Sequence, residues 1–326
     1  MKVSPADINL SIDRAISYLK ESQEESGRIR CHMFRNPARL YPDISVFAAI
    51  CVAYSLQFAQ RAEADLVVEK ALDFVERHLE APGVWRYFTP EMGEAIDADL
   101  DDTCCASALL RDRAPAIRGG GNVQLLMKYR DSKDRFFTWM RFWKQPFWKR
   151  LRHPFTRNDV DGVVNANVLW YLGERPETAG ASRWLVEAVR AGSEERTLVY
   201  YEYSMSLYYA LARAAESGVY AFREIGAEIT RAILWRCADM MDSGEPIPIA
   251  CAISALIGLG AGAEPVLDEL IFCLLDLQRG DGSWPIDRAW CGPSPDDGKR
   301  IWLGSPEVTT GYCIEALSRY LHYHAT

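Results

Sequence analysis

The sequence predicts an all-α protein, a single (α/α)6 barrel in which six outer-inner helix pairs surround a central space. Two patterns indicate this fold: a small-residue, apolar helical segment recurs six times along the chain, and amphipathic segments lie between its copies. The loops are a third indication, because connections from outer to inner helices are long and the return connections are short. We therefore expect residues 1–326 to form one domain, with the long loops at one mouth of the barrel.

The repeat is clearest at the helix that follows Asp101. Asp99-Leu100-Asp101 with Ala106 aligns with Asp159-Val160-Asp161 with Ala166. Equivalent inner helices are predicted at Ser45 to Ser55, Val163 to Leu172, Ser204 to Ala214, Ile249 to Leu259 and Thr309 to Leu321. Small Ala, Ser and Cys side chains in these segments allow the inner helices to approach closely.

The amphipathic segments supply the outer helices. Apolar residues recur at helical spacing in the predicted segments 7–20, 64–79, 182–190, 220–240 and 266–277. The long connections are Gln23 to Pro42, Glu80 to Asp99 and Arg279 to Pro306. We expect the second helix to begin at Leu40-Tyr41-Pro42-Asp43, and we expect little β-strand.

Composition narrows the function. With 49% hydrophobic residues the chain can bury a sizeable core, and its net charge of −8 disfavours a general nucleic-acid binder. No secretory signal and no apolar run of membrane-spanning length is found, so a soluble, cytoplasmic protein is expected. The nine cysteines are scattered without a CxxC pair, which is typical of reduced, packed thiols rather than a zinc site.

The stretch Asp97 to Thr103 has four carboxylates in six residues and leads into an inner helix. One or two acids would cap a helix start, where free N–H groups and the helix dipole favour negative charge. Four exceed that need, and carboxylates this close cannot all ionise at low cost, so at least one should keep its proton. The stretch is therefore either an over-capped, solvated helix start or a proton donor.

Further polar and aromatic residues accompany the inner helices. Asp159, Asp161, Asn165 and Asn167 head the next one, where they either cap it and fill its core or orient the acid and bind a substrate. Aromatic residues on or just before inner helices are Trp170, Tyr201, Tyr203, Tyr208, Trp290, Trp302 and Tyr312. Most should belong to the core, and a few could face a cavity and stabilise a carbocation.

Two motifs resemble those of a known family. Gly83-Val84-Trp85 followed by Asp99-Leu100-Asp101-Asp102-Thr103 resembles the Gly-Gly-Trp and Asp-x-Asp-Asp-Thr signature of class II terpene cyclases, the group of squalene-hopene cyclase and copalyl diphosphate synthase. The segment Gln278 to Trp284 is similar to that group's repeated Gln-xxx-Gly-x-Trp motif, whose Gln and Trp are structural. The resemblance implies an α/α barrel that protonates a terminal alkene or epoxide, with Asp101 as the acid and Asp99 and Asp102 as its carboxylate neighbours.

The resemblance also implies a substrate class. No Asp-Asp-x-x-Asp motif is found, so the expected substrate is a linear isoprenoid of modest length, either a prenyl diphosphate kept intact or a prenylated small molecule. Protonation requires no cofactor, and Mg²⁺ would assist only if the head group is a diphosphate. Candidate substrate-binding residues are Trp85, Thr103, Asp161, Asn165, Trp170, Tyr203, Lys299, Arg300, Trp302 and Tyr312.

The segment Arg141 to Arg157 is a compositional outlier, with six Arg or Lys, five Phe or Trp and no acid. It is either a solvated connector or a surface that contacts a membrane or a diphosphate.

Two other functions stay open at the level of sequence. One is a transferase related to the protein prenyltransferase β subunit, which is disfavoured because no Asp/Cys/His zinc trio is evident. The other is a non-catalytic isoprenoid-binding barrel. Family members usually have two or three helical domains, so the sequence leaves open how a single barrel would close its cavity.

Overall fold

The computed structural model describes residues 3–93, 96–141, 158–292 and 300–325. In chain order the elements are α1 (Pro5–Ser22), β1 (Cys31–Asn36), β2 (Arg39–Asp43), α2 (Phe47–Leu56), α3 (Ala62–Arg77), α4 (Leu100–Leu109), α5 (Val123–Leu126), α6 (Gly162–Leu172), α7 (Ala179–Arg190), α8 (Ser204–Glu216), α9 (Tyr220–Glu224), α10 (Gly226–Ser243), α11 (Pro246–Gly258), α12 (Val266–Asp276), β3 (Trp290–Cys291), β4 (Trp302–Gly304) and α13 (Pro306–Ala325). Helices dominate, as the sequence predicts.

Six helices form a closed inner ring. Each packs on the next in the order α2, α4, α6, α8, α11 and α13, and α13 packs back on α2. The ring can close because small residues lie at the contacts: an added Cβ at Gly311 would lie only 3.1 Å from Val52 Cγ2. The predicted inner helices and the α/α barrel are therefore confirmed. The organisation of residues 1–326 as a single domain stays a prediction.

The outer layer surrounds the inner ring. Long outer helices α1, α3, α7, α10 and α12 pack against the inner ring, but the third outer position holds only the single turn α5 among the described residues. The local sequence explains this, because Pro115 and the run Gly119 to Gly121 precede α5 and both residue types disfavour helix.

Little β-strand is present, as the sequence predicts, and it lies at the mouth of the barrel. A four-stranded antiparallel sheet forms there in the order β2-β1-β4-β3, with Met33 opposite both Tyr41 and Leu303. The predicted helix start at Leu40 to Asp43 is β2 instead, and α2 begins only at Phe47. The residue before a proline favours extended backbone, and the pairing of β1 with β4 joins segments far apart in sequence.

The Gln-xxx-Gly-x-Trp segment connects an outer helix to an inner one. Gln278 Nε2 donates to the carbonyl oxygens of Gly282 (2.9 Å) and Ser11 (3.0 Å). Trp284 is fully buried; its indole donates to Leu274 O (2.7 Å), and its backbone N–H donates to Thr310 Oγ1 (3.1 Å). This geometry fits the structural role that the resemblance implies.

Trp85 has the same arrangement in the second outer-inner pair, between α3 and α4. Its indole donates to Val75 O in α3 (2.7 Å), and its backbone N–H donates to Thr103 Oγ1 in α4 (3.1 Å). Both side chains are completely buried. Trp85 and Thr103, which the sequence proposes as substrate-binding residues, therefore lie in the core and position the acidic start of α4.

Candidate active site

A cavity of about 530 Å³ lies between the amino ends of the inner helices and the sheet. Its volume is within the roughly 300–1,000 Å³ range of small-molecule sites. Met33, Leu303 and Trp290 line it from the sheet. Other aromatic side chains that line it are Phe47, Tyr87, Phe88, Trp139, Tyr200 and Tyr201. The polar part of the lining includes Asp97, Asp99, Asp101, Asp102 and Thr138.

The acidic helix start is fixed by backbone contacts. Asp99 is the N-cap of α4, and its Oδ1 accepts a hydrogen bond from the backbone N–H of Asp102 (2.8 Å). Segment 138–140 runs alongside, with Leu100 N–H donating to Thr138 O (2.8 Å). The four acids therefore meet the cavity at a defined helix terminus rather than on a solvated loop.

Asp101 accepts hydrogen bonds from side chains of two other segments. Its carboxyl oxygens accept hydrogen bonds from Tyr201 Oη (2.5 Å) and from Asn167 Nδ2 (2.5 Å). Burial raises the pKa of Asp101 to about 6, although both hydrogen bonds favour the carboxylate and oppose that rise. Asp101 is partly exposed, whereas Asp99 and Asp102 are buried. Of the three, its carboxyl is the one most open to a ligand.

Asp102 is a buried carboxyl without a donor. Among the described residues, no N–H or O–H group donates to either of its carboxyl oxygens. Burial raises its pKa well above the usual range, and the nearby charges of Asp99 and Asp101 raise it further. Burial and the two neighbouring charges thus both favour the protonated form of Asp102. That the acidic stretch holds at least one proton stays a prediction.

A half-buried cation acts on Asp101 through an amide. Arg213, on inner helix α8, donates from Nη2 to Asn167 Oδ1 (2.5 Å), and its guanidinium lies 4.1 Å from the ring centroid of Trp170. Because an arginine has no acceptor, Asn167 must turn its oxygen towards Arg213 and its NH₂ group towards Asp101. The cation thus fixes the amide in the orientation that stabilises the Asp101 carboxylate.

Asp161 caps α6 and also anchors a second segment. One oxygen accepts from the N–H groups of Val163 (2.7 Å) and Val164 (3.0 Å). The other accepts from those of Val199 (2.7 Å) and Tyr200 (3.1 Å). Burial raises the pKa of Asp161 to about 6, but four N–H donors stabilise its carboxylate. Its place in the structure is that of a cap.

Asn165 connects two segments of backbone outside the cavity. Its Oδ1 accepts from Phe136 N–H (2.8 Å), and its Nδ2 donates to the carbonyl oxygens of Phe136 (2.9 Å) and Asp161 (2.8 Å). The side chain is completely buried. All of its hydrogen-bonding groups are thus used within the protein.

Other proposed binding residues also lie away from the cavity lining. Tyr203 donates to Asp287 Oδ1 (2.7 Å), and Tyr312 Oη lies 3.9 Å from Cys51 Sγ. Trp170 packs against Arg213, as described above.

Two more belong to a charged cluster beside β4. Arg300 is 3.4 Å from Glu202 Oε2, and Trp302 lies beneath the guanidinium groups of Arg288 and Arg300. Lys299 and residues 142–157 lie outside the described residues, whereas Arg141 lines the cavity.

Several site residues were missed. Tyr87, Trp139 and Tyr200 line the cavity from loops whose position depends on tertiary contacts. Arg213 had a recognisable signal, because an arginine within an otherwise apolar inner helix needs a buried polar partner.

Solved structures of other proteins share this architecture. No protein-family model matches the chain, and no curated protein matches it. A solved protein from Actinoplanes is similar over 98% of this chain and 100% of its own, at 17% identity and a TM-score of 0.73. The type II terpene cyclase MstE from Scytonema is similar over 98% of this chain and 99% of its own, at 16% identity and a TM-score of 0.69. The chain has a class II terpene cyclase-like fold.

The same toroid also occurs in sugar-processing enzymes. An unsaturated glucuronyl hydrolase specific for heparin is similar over 99% of both chains, at 12% identity and a TM-score of 0.60. Within the described residues, no group of three His, Cys, Asp or Glu side chains is arranged to hold a metal ion. In the same part of the chain, none of the helices combines the length and hydropathy needed to cross a bilayer. Because a terpene cyclase and a glucuronyl hydrolase share this fold, the fold alone does not identify the reaction.

Proposed function

We propose that this protein is a class II terpene cyclase that protonates the terminal alkene of a linear isoprenoid and so starts its cyclisation. The observation that carries the proposal is a single one: an aromatic-lined cavity with Asp101 at its polar end, where Tyr201 and Asn167 are placed to stabilise the carboxylate. Protonating an isolated alkene needs a neutral acid whose conjugate base is stabilised as it forms.

The proposed step moves one proton. The carboxyl proton of Asp101 adds to the less substituted carbon of the terminal double bond, whose π electrons form the new C–H bond and leave a tertiary carbocation. The next double bond attacks that cation and closes a ring, and the sequence ends when the last cation loses a proton to a base or to water. Product and substrate have the same mass. The hydrogen bonds from Tyr201 and Asn167 stabilise the Asp101 carboxylate until it recovers a proton from solvent.

Substrate binding would increase the protonated fraction of Asp101. With a pKa of about 6, roughly a tenth of Asp101 is protonated at pH 7 before substrate enters. An apolar chain that fills the cavity displaces water, which disfavours the charged form and raises this fraction. Aromatic faces around the chain would stabilise each cation by about 1–2 kcal/mol when water is excluded.

We propose a prenylated small molecule as substrate in preference to a prenyl diphosphate. Among the described lining residues, Arg141 is the one basic side chain, against four aspartates. Variants of the structural neighbour MstE were solved with geranylgeranyl dihydroxybenzoate as substrate and with merosterolic acid A as product. A diphosphate would need Mg²⁺ to bridge its oxygens to nearby carboxylates, so chelator would abolish its conversion.

The test incubates the purified protein with geranylgeranyl dihydroxybenzoate and, separately, with geranylgeranyl diphosphate, each with and without EDTA. Mass spectrometry and NMR should detect a cyclic product of unchanged mass in the first incubation, insensitive to EDTA and absent with Asp101→Asn. A cyclic product only from the diphosphate, lost in EDTA, would replace the proposed substrate class. Transfer of the prenyl group to an added acceptor peptide would favour a transferase, and unchanged substrate in every incubation would favour a non-catalytic binding barrel.

Two secondary parts of the proposal concern the whole chain. Residues 1–326 would unfold as one domain, which a single calorimetric transition would support. We place the protein in the cytoplasm, and the basic, aromatic segment 141–157 would then contact a membrane surface, which flotation with anionic liposomes tests.

A further inference from the structure

The proposed cyclisation needs a group that takes up the last proton. A carbocation gives up a neighbouring proton readily, so even a neutral oxygen in the cavity wall can accept it. Water is a poor choice for this role, because it adds to the cation as well as removing a proton. The cavity is mostly apolar, and Met33 and Leu303 cover it from the sheet. A base in the wall would give the product of unchanged mass that the proposed function requires.

Tyrosines of the cavity wall are paired with aspartates. Among the described residues that line the cavity, three tyrosines each donate a hydrogen bond to an aspartate carboxyl group. The pairs are Tyr201 with Asp101, Tyr87 with Asp43, and Tyr200 with Asp159. A phenol held in this way can accept a proton on its oxygen while its own proton moves to the carboxylate.

Two of these pairs are unsuited to take up a proton. Asp101 is the proposed acid, so Tyr201 belongs to the group that starts the reaction. Asp43 is 2% exposed, and its Oδ1 has no hydrogen-bond partner among the described residues. Burial raises the pKa of Asp43 and favours its protonated form, which cannot accept another proton.

The third pair has the required connections. Tyr200 Oη donates to Asp159 Oδ2 (2.8 Å) and accepts from the Trp139 indole (2.7 Å). The direction is fixed, because an indole N–H can only donate and the phenol hydrogen must then go to Asp159. Burial, and next the charge of Asp159, raises the pKa of Tyr200 above its usual range, so the phenol is neutral before the reaction. Unlike Asp43, Asp159 is partly exposed and can exchange protons with solvent.

Backbone hydrogen bonds hold this pair beside the acid. Tyr200 N–H donates to Asp161 Oδ2 (3.1 Å), and Asp159 O accepts from Thr138 N–H (2.8 Å). Thr138 O in turn accepts from Leu100 N–H (2.8 Å) at the start of α4. The tyrosine and its carboxyl partner are therefore fixed relative to the helix that presents the proposed acid.

We propose that Tyr200, backed by Asp159, is the base that ends the cyclisation. The C–H bond next to the last cationic carbon breaks, and its electrons form the new C=C bond. The proton goes to Tyr200 Oη as the phenol's own proton passes to Asp159 Oδ2, and Asp159 then releases it to solvent. Tyr200 is the catalytic residue, and Asp159, which acts through it, is a positioning residue. The inference rests on the proposed function, because it assigns the base of that reaction.

The test compares the products that the full-length wild type and two variants form from geranylgeranyl dihydroxybenzoate. Tyr200→Phe keeps the ring and removes the oxygen, and Asp159→Asn keeps an acceptor that cannot take up the proton. In both variants the last cation should persist until water adds or a different proton is lost. An alcohol one water heavier and isomeric alkenes should therefore appear. Since a general base contributes about 10²–10⁴-fold, the share of the wild-type alkene should fall about tenfold or more.

Two further variants serve as comparisons. Tyr203 makes the same contact with Asp287 (2.7 Å) away from the cavity, so Tyr203→Phe should match the wild type in rate and product ratio. Tyr87→Phe removes the other phenol whose carboxyl partner is buried. At whatever rate it turns over, the wild-type alkene should remain its main product.

The product ratio decides the assignment. A wild-type ratio in Tyr200→Phe or in a folded Asp159→Asn protein would overturn it, and so would a change in Tyr87→Phe equal to that in Tyr200→Phe. Loss of all conversion in Tyr200→Phe would also overturn it, because the tyrosine would then act before the last step. The proposed function fails in a different way, since the wild type itself would then yield no cyclic product.

Discussion

Replacing Tyr201 by phenylalanine should move the titration of the proposed acid to higher pH. The phenol donates to Asp101 Oδ2 at 2.5 Å, and the variant removes this hydrogen bond while keeping the ring. A hydrogen bond to a charged group contributes about 1.5–3 kcal/mol, and one pKa unit corresponds to about 1.4 kcal/mol. The variant should therefore raise the pKa of Asp101 from about 6 to between about 7 and 8.

The activity profile follows from the sign of that change. A proton donor works only in its protonated form, so wild-type kcat/KM, which reports the free enzyme, should be highest below about pH 6 and fall about tenfold per pH unit above it. In Tyr201→Phe the fall should begin one to two pH units higher, by the estimate above. The plateau below it should be lower, because the carboxylate loses stabilisation as it forms.

Two measurements check this prediction independently. The first is the dependence of kcat/KM on pH. The second is a ¹³C NMR titration of protein labelled at the aspartate carboxyl carbons, with the Asp101 signal assigned by its loss in Asp101→Asn. The charges of Asp99 and Arg213 also act on Asp101, and both stay in place in the variant. A falling limb that stays at the wild-type pH, or moves lower, would refute the assignment of Tyr201 as the group that stabilises the carboxylate.

Three further changes have defined outcomes. The pKa of Asp101 rises from a reference of 3.8 to about 6, so its contribution to folding is fully present below pH 3.8 and is lost as pH rises through 6. Chemical denaturation at pH 8 should therefore find Asp101→Asn about 2–3 kcal/mol more stable than wild type. Asp161→Asn should instead lower the free energy of unfolding by about 2 kcal/mol or more at pH 8, since an amide has one acceptor oxygen for four N–H donors. Arg213→Met should lower kcat with little change in KM and raise the NMR-measured pKa of Asp101, whereas an unchanged pKa would contradict a cation acting through Asn167.

The inner ring could be predicted from sequence because its signals are local. Small apolar residues at helical spacing fix which segments are buried on all sides, and each repeat supports the next. The sheet could not be predicted in the same way, because its central pairing is not local. β1 pairs with β4 across most of the chain, and Leu40 to Asp43 joins the sheet only through its hairpin with β1. The sheet is nevertheless what covers the cavity, through Met33 and Leu303. This sheet would close the cavity of a barrel that has no second helical domain.

The two Asp-x-Asp helix starts have the same sequence pattern but different surroundings. Asp101 and Asp161 occupy aligned positions, and burial raises the pKa of each to about 6. Asp161 meets four backbone N–H groups, two of them from Val199 and Tyr200, so its carboxylate is satisfied within the protein. Among the described residues, Asp101 meets two side-chain donors, and it is partly exposed beside the cavity, so its proton can leave and return. The number of donors supplied by other segments therefore separates a cap from a candidate acid, and that number depends on the tertiary fold rather than on the motif.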